Sequence, residues 1–331
     1  MPGRLRCGLP NAAIIAYGAR PMKHALAAML ALTAACGRSE SDHPYRATID
    51  LTTEIRALGS DDLFESDPAE AKIVALGPAA LPALGLALER EPPAVRAGVV
   101  GALARLHTPE TAPLLVTAAH DPAEEVRSAA VDALGGLADP RGQGVVEAAL
   151  HDPGARVRLF AARACAALCS SPAALARLVE IALDDESLPA SSWARASLRE
   201  LLGRDAAARA AAGRAAKARL PEANPVEARA RAALLLADLG DPAGAEALAV
   251  AAQHTTTLQL RLQAIYALGV VGDEASVPAL AELLADANPS VPVYAYDALG
   301  KLDARGVASA ATARQAYRGE IPTHPLPRPG A

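Results

Sequence analysis

Residues 121–135 read Asp-Pro-Ala-Glu-Glu-Val-Arg-Ser-Ala-Ala-Val-Asp-Ala-Leu-Gly, and 31 residues on the phrase returns with Asp152-Pro153, Val157-Arg158 and Ala164-Cys165. Val95-Arg96 stands 31 residues upstream of Val126-Arg127. Later copies drift but remain legible: Asp132-Ala133-Leu134-Gly135 reappears as Asp297-Ala298-Leu299-Gly300, and His120 to Gly135 aligns with His254 to Gly269. A fixed period of this length is the signature of a repeat array. Within a unit Val126, Ala130, Ala133, Leu134 and Leu137 recur at spacings of three and four, which makes one apolar helical stripe. A lone helical pair cannot bury that stripe, so neighbouring pairs must stack.

Helix punctuation recurs with the same phase. Asp67-Pro68, Asp121-Pro122, Asp152-Pro153, Asn224-Pro225 and Asn288-Pro289 each place a side-chain acceptor before a proline, the arrangement expected of an N-cap and first helical residue. Asp139-Pro140 and Asp241-Pro242 punctuate the other helix of the repeat. Gly77, Gly135, Gly240, Gly269 and Gly300 stand where helices are expected to end in the left-handed conformation. Second helices are expected to begin near Asp67, Pro93, Pro122, Pro153, Leu188, Pro225, Thr257 and Pro289, with an irregular, Ala- and Arg-rich unit at 184–222.

These residues resemble the HEAT-repeat family, in particular the short bacterial, PBS-lyase-like form whose second helix reads Asp-Pro, three variable residues, Val-Arg, then Ala and Leu-Gly. The resemblance covers roughly residues 67–317. It implies an all-α, right-handed α-solenoid of about eight helical hairpins, with second helices lining a concave side. It also implies a structural ladder of turn aspartates and arginines, here Asp121 with Arg127 and Asp152 with Arg158. Arg90 replaces the acid before Arg96, Thr255 replaces it before Arg261, and Pro292 stands where Asp286 expects its arginine, so the ladder is expected to break at both ends.

Composition agrees with thin helical layers. Hydrophobic residues make up 52% of the chain but aromatic residues only 3%, which leaves Ala, Leu and Val to build the core and disfavours aromatic-rich sandwiches and α/β enzymes. The net charge is −5, and the leader holds Arg4, Arg6, Arg20 and Lys23 with no acid, so the remainder stands at −9. Such a body lacks the phosphate-neutralising surface of a nucleic-acid binder. Arg204, Arg209, Arg214, Lys217 and Arg219 form one basic run, read as a solvated helix face.

The N-terminal segment reads as an address. From Met22, the expected initiator, a basic start leads into an uncharged stretch from Ala25 to Ala35, too short to span a bilayer. Leu32-Thr33-Ala34-Ala35-Cys36 resembles the bacterial lipobox, although Thr33 occupies the position usually held by leucine. The resemblance implies acylation of Cys36, export, and a lipid anchor at the cell envelope, on the outer membrane or periplasmic face. The organisation expected is a leader over 1–35, a lipid-anchored polar tether over 36–48, the solenoid over 49–317 and a Pro-rich, disordered tail over 318–331. An unacylated secretory signal, or a cytosolic chain translated from Met1, are the competing readings. Cys165 and Cys169 lie four apart, where a disulfide within a helix would be strained, and are expected to be small buried hydrophobes.

No catalytic, cofactor or metal constellation emerges. His120, His151 and His254 hold equivalent repeat positions, about one helix spacing (~10 Å) apart in adjacent units, too far to share a metal unaided. No His is followed by Glu, the dipeptide through which deoxyhypusine hydroxylases of this repeat class bind iron. The expectation is therefore a scaffold without enzymatic activity, with an enzyme or enzyme accessory of the bilin-lyase kind as the alternative. Its working surface would be the groove face of the second helices at Asp132, Leu159, Arg163, Leu262 and Tyr266, facing a protein or peptide ligand. The two leucines and Tyr266 have a second reading as packing between repeats.

Overall fold

The computed structural model describes residues 50–203, 205–315, 317, 328 and 329, and the leader, tether and most of the tail lie outside them. The chain divides at 49/50, and all of the described residues belong to the unit from Asp50 onward. They contain helices and 3₁₀ turns and no strand.

Two layers of helices alternate along the chain. A first pair, α1 (Thr52–Ala57) and α2 (Leu63–Leu76), is followed by seven hairpins. The first helices of these are α3 (Leu81–Arg90), α5 (Ala112–Ala118), α7 (Gln143–Ala149), α9 (Pro172–Asp184), α11 (Ala206–Lys217), α13 (Ala245–His254) and α15 (Val277–Glu282). The second helices are α4 (Pro93–Leu106), α6 (Glu124–Leu137), α8 (Ala155–Leu168), α10 (Leu188–Leu201), α12 (Val226–Asp238), α14 (Leu258–Val271) and α16 (Ser290–Ala304), and α17 (Ala308–Gln315) closes the array. Each second helix packs on its own first helix and on the second helix of the next hairpin, closely between α4, α6, α8 and α10 and again between α12, α14 and α16.

Seven of the eight expected second-helix starts lie within two residues of the observed ones. The eighth does not: α2 begins at Leu63, capped by Asp62 accepting from the Phe64 N–H at 2.9 Å, with Pro68 inside the helix. The Asp-Pro pairs also act differently from simple caps. Asp121 Oδ1 accepts from the Ala123 N–H and Asp152 Oδ1 from the Gly154 N–H, both at 2.8 Å, turning the chain just before α6 and α8 begin.

The glycines divide into two classes. Gly77 and Gly240 take φ of 58° and 72° at helix ends, as expected. Gly135, Gly269 and Gly300 lie inside α6, α14 and α16 instead. A Cβ on Gly135 would sit 2.6 Å from the Ala164 Cβ, and one on Gly269 2.8 Å from the Ala298 Cα. Gly135 and Gly269 let successive second helices approach closely, and Ala138, at φ 52°, ends α6 in place of Gly135.

The core changes partners in the middle. One buried cluster runs from Leu51 to Leu239 and a second from Ala230 to Ala310, and α12 belongs to both. Its Ala232, Leu235 and Leu236 face the first cluster, its Ala230, Ala233, Leu234 and Ala237 the second. The basic run of α11 is not simply solvated: Lys217 pairs with Asp241 at 2.7 Å and Arg219 with Asp184 at 3.0 Å, tying this irregular hairpin to its flanks.

Cys165 and Cys169 are buried in the first core cluster, as expected, but they form a disulfide, which corrects the expectation that they stay unpaired. The helical geometry behind that expectation does not hold, because α8 ends at Leu168 and Cys169 is already extended at φ −84°, ψ 133°.

Candidate functional site

The ladder is the scaffold of the second-helix layer. Arg127 Nε and Nη2 donate to the two oxygens of Asp152 at 2.8 and 2.9 Å. Arg96 grips Asp121 in the same fork, at 2.7 Å twice, and Arg158 grips Asp185 at 2.6 and 3.0 Å. Each arginine thus reaches the turn of the next hairpin, while its Nη1 donates to a carbonyl of its own turn, as Arg127 does to Asp121 O at 3.0 Å. The expected break at both ends is therefore corrected. Arg96 needs no acid at residue 90, and Asp286 takes its rung from Arg261 at 2.5 Å rather than from position 292. The interruption falls in the middle, at the irregular hairpin.

Burial pushes the carboxyls of Asp121, Asp152 and Asp185 up, but the arginine fork, a backbone N–H and the paired charges outweigh it and leave all three below the ordinary carboxylate value. Bidentate geometry and partial burial make these rungs stronger than ordinary surface ion pairs. Their role is to fix the spacing of hairpins.

Among the described residues, cavities open on the solvent side of the second helices, and two of them are bordered by residues expected from the sequence. One, of about 370 Å³, lies between α4, α6 and α8 and is bordered by His107, Asp132, Gly136 and Arg163. Asp132 and Arg163 form an ion pair across α6 and α8, each a little over one-third exposed. Arg163 also stacks over Phe160 and Trp193, with its guanidinium 5.0 and 5.6 Å from the ring centroids. Two of the sequence-predicted residues therefore meet, in a setting of charge and aromatic surface.

The second cavity, about 210 Å³, lies between α10, α12 and α14 and is bordered by Arg199, Asp238, Gln263, Tyr266 and Arg328. Tyr266 is half-buried, with Lys301 Nζ 3.7 Å from its ring centroid. Leu262 is in the core, 9% exposed, and Leu159 packs partly buried against the first cluster. For those two the packing reading describes their place.

Beneath the second cavity lies a polar cluster that the sequence reading missed. Arg195 is 2% exposed; it donates to Asp238 Oδ2 at 3.3 Å and to Gln263 Oε1 at 2.7 Å, linking α10 directly to α14. Burial lowers the Arg195 guanidinium to about 10, against the pull of Asp238 and with the repulsion of Arg328 and Arg199. Its signal in the sequence was slight. Gln263 is a polar residue set among Leu262, Ala264 and Ile265, and Asp238 occupies the last turn of its helix.

Among the described residues no three or more His, Cys, Asp or Glu side chains gather to hold a metal. His120, His151 and His254 are all exposed. Cys36 lies outside the described residues.

Antiparallel helix pairs whose equivalent helices stack hairpin on hairpin define an α-helical repeat protein, an α-solenoid. The model of the family "HEAT repeats" matches residues 81–143, 117–199 and 215–300, more than half of the chain, and the chain belongs to that family. No curated protein matches the sequence. Among solved structures, YibA of Escherichia coli is similar at 15% identity and a TM-score of 0.50, over 87% of this chain and 99% of that one. Human deoxyhypusine hydroxylase in complex with glycerol is similar at 21% identity, over 77% and 96% of the two chains, with a TM-score of 0.32. The complex of CpcE and CpcF of phycocyanin lyase from Nostoc sp. PCC7120 follows at 21% identity, over 85% and 100%, with a TM-score of 0.34.

The likeness to YibA shows the fold. The expectation that the array marks a protein without enzymatic activity is corrected, because the fold fixes no activity. The HEAT fold does not exclude catalysis in this chain.

Proposed function

We propose that the chain presents its second-helix layer as a docking surface for a protein or peptide, and that it does so at the bacterial cell envelope, held there by acylation of Cys36. The observation that carries the docking reading is a pair of cavities that open on second helices and carry charged side chains, with Tyr266 bordering the second and Arg163 of the first stacked over Phe160 and Trp193. Amphipathic aromatic and arginine side chains at a recess are what partner segments use as anchoring points. The acidic body, at −9 beyond the leader, argues against nucleic acid as the partner. The address rests on the Met22–Cys36 pattern and gains support from the Cys165–Cys169 disulfide, since such bonds persist in oxidising compartments.

Site-specific photocrosslinking in an expressing bacterium tests the docking reading. A photoreactive residue in place of Arg163 or Tyr266 is expected to give discrete adducts, and one in place of exposed Glu246, on a first helix, is expected to give none. Adducts from all three positions alike, or from none, would contradict it.

A further inference from the structure

The second cavity is already bordered by a residue from the far end of the chain, Arg328. Arg328 Nη2 donates to Asp238 Oδ1, and Pro329, the next residue, is buried. The two oxygens of Asp238 have different employments. Oδ2 is committed to the buried Arg195, whereas the nearest fixed cation to Oδ1, Arg199, stands 3.8 Å away with a half-exposed side chain. Beyond hydrogen-bond distance, Arg199 leaves Oδ1 to the guanidinium that enters the cavity. Leu234, Ala237, Ala267 and Val270 supply apolar wall beside that carboxylate oxygen. A guanidinium suits Oδ1, and the methylene stem that carries it suits the apolar wall.

Charge makes the contact displaceable. Arg328 is the third guanidinium gathered on one carboxylate, and both it and Arg199 repel the buried Arg195. The resident guanidinium therefore sits against a repulsion that weakens its hold on Asp238.

We propose that Asp238, at the cavity between α10, α12 and α14, is a docking point for an arginine-bearing segment, occupied in cis by Arg328, so that a partner segment of the same chemistry must displace Arg328 to bind. The inference rests on the docking reading of the second-helix layer and names its ligand class at this one cavity.

The test uses the full chain carrying Arg328→Ala and Pro329→Ala together, and a fluorescent synthetic peptide of residues 322–331. Anisotropy titration is expected to show saturable binding to this variant, roughly tenfold or more tighter than to the unsubstituted chain, where the tethered segment competes at high effective concentration. The peptide with alanine in place of its arginine is expected to lose that binding, a control that leaves the protein untouched. Asp238→Asn in the variant is expected to do the same, with circular dichroism verifying that it remains folded. Absence of saturable binding to the variant, or equal binding of the alanine peptide, would overturn the inference. Should the peptide fail while Arg163 crosslinks persist, the inference alone falls; loss of those crosslinks removes the docking reading beneath it.

Discussion

At the scale of the residue, Gly135 and Gly136 look alike in sequence and do opposite work. A Cβ on Gly135 meets Ala164 at 2.6 Å, whereas nothing lies within 4 Å of one on Gly136. Gly135→Ala should therefore destabilise the array by about 1–3 kcal/mol through overpacking, while Gly136→Ala should stabilise it by up to about 1 kcal/mol through helix propensity. Thermal melts of the two variants should move in opposite directions; equal shifts would deny the close approach of α6 and α8. The position of these glycines was legible in the repeat, but their role was not. Both a helix end and a tight crossing call for a residue without Cβ, and only the neighbouring helix distinguishes them. The ladder makes a second residue-scale prediction. Asp121, Asp152 and Asp185 have carboxyls below the ordinary carboxylate value, so their contribution is present above that ordinary value and is lost as pH falls through their folded values. Asp185→Asn should lower stability at pH 7 by about 1–3 kcal/mol and flatten the acid limb of the stability curve, measured by urea unfolding from pH 6 down to pH 2.5. An unchanged acid limb would contradict the account. Arginine and aspartate of the ladder were legible as residue types, yet the pairing was not, because equivalent positions in successive repeats offer each arginine two candidate acids.

At the scale of the element, α12 decides how the array unfolds. Among the described residues it is the one helix with members in both buried clusters, with Leu235 facing one and Leu234 the other. Leu235→Ala should cost about 2–5 kcal/mol and loosen mainly the hairpins before α12, and Leu234→Ala mainly those after it. Hydrogen exchange resolved by peptide would show two blocks with different responses; uniform loosening by both variants would show a core without a seam. The irregular unit was visible from its composition at 184–222. Its consequence was hidden, since a core boundary depends on which side of a helix each leucine faces across three elements. The Arg195–Asp238–Gln263 cluster that bridges this seam is likewise non-local, drawn from three helices with no motif in common.

At the scale of the whole molecule, the repeat period made the architecture readable, and the HEAT family follows from it. Period and stripe recur in phase along most of the chain, so many weak local signals agree. Surface function has no such redundancy: Asp132, Arg163 and Tyr266 were found from their register on the second helix, whereas Phe160, Trp193 and Asp238 became visible only once helices were placed side by side. The address makes its own prediction. Intact mass of protein from bacterial membranes should show a chain beginning at Cys36 with acyl chains, absent in Cys36→Ala; an unprocessed soluble chain would remove the envelope from the account. The central claim concerns which layer works. Hydrogen–deuterium exchange of the full chain, free and bound to the partner recovered by crosslinking, tests it most directly. The account predicts protection in peptides from α6, α8, α10, α12 and α14, and protection confined to the first helices α5, α7 and α13 would contradict it.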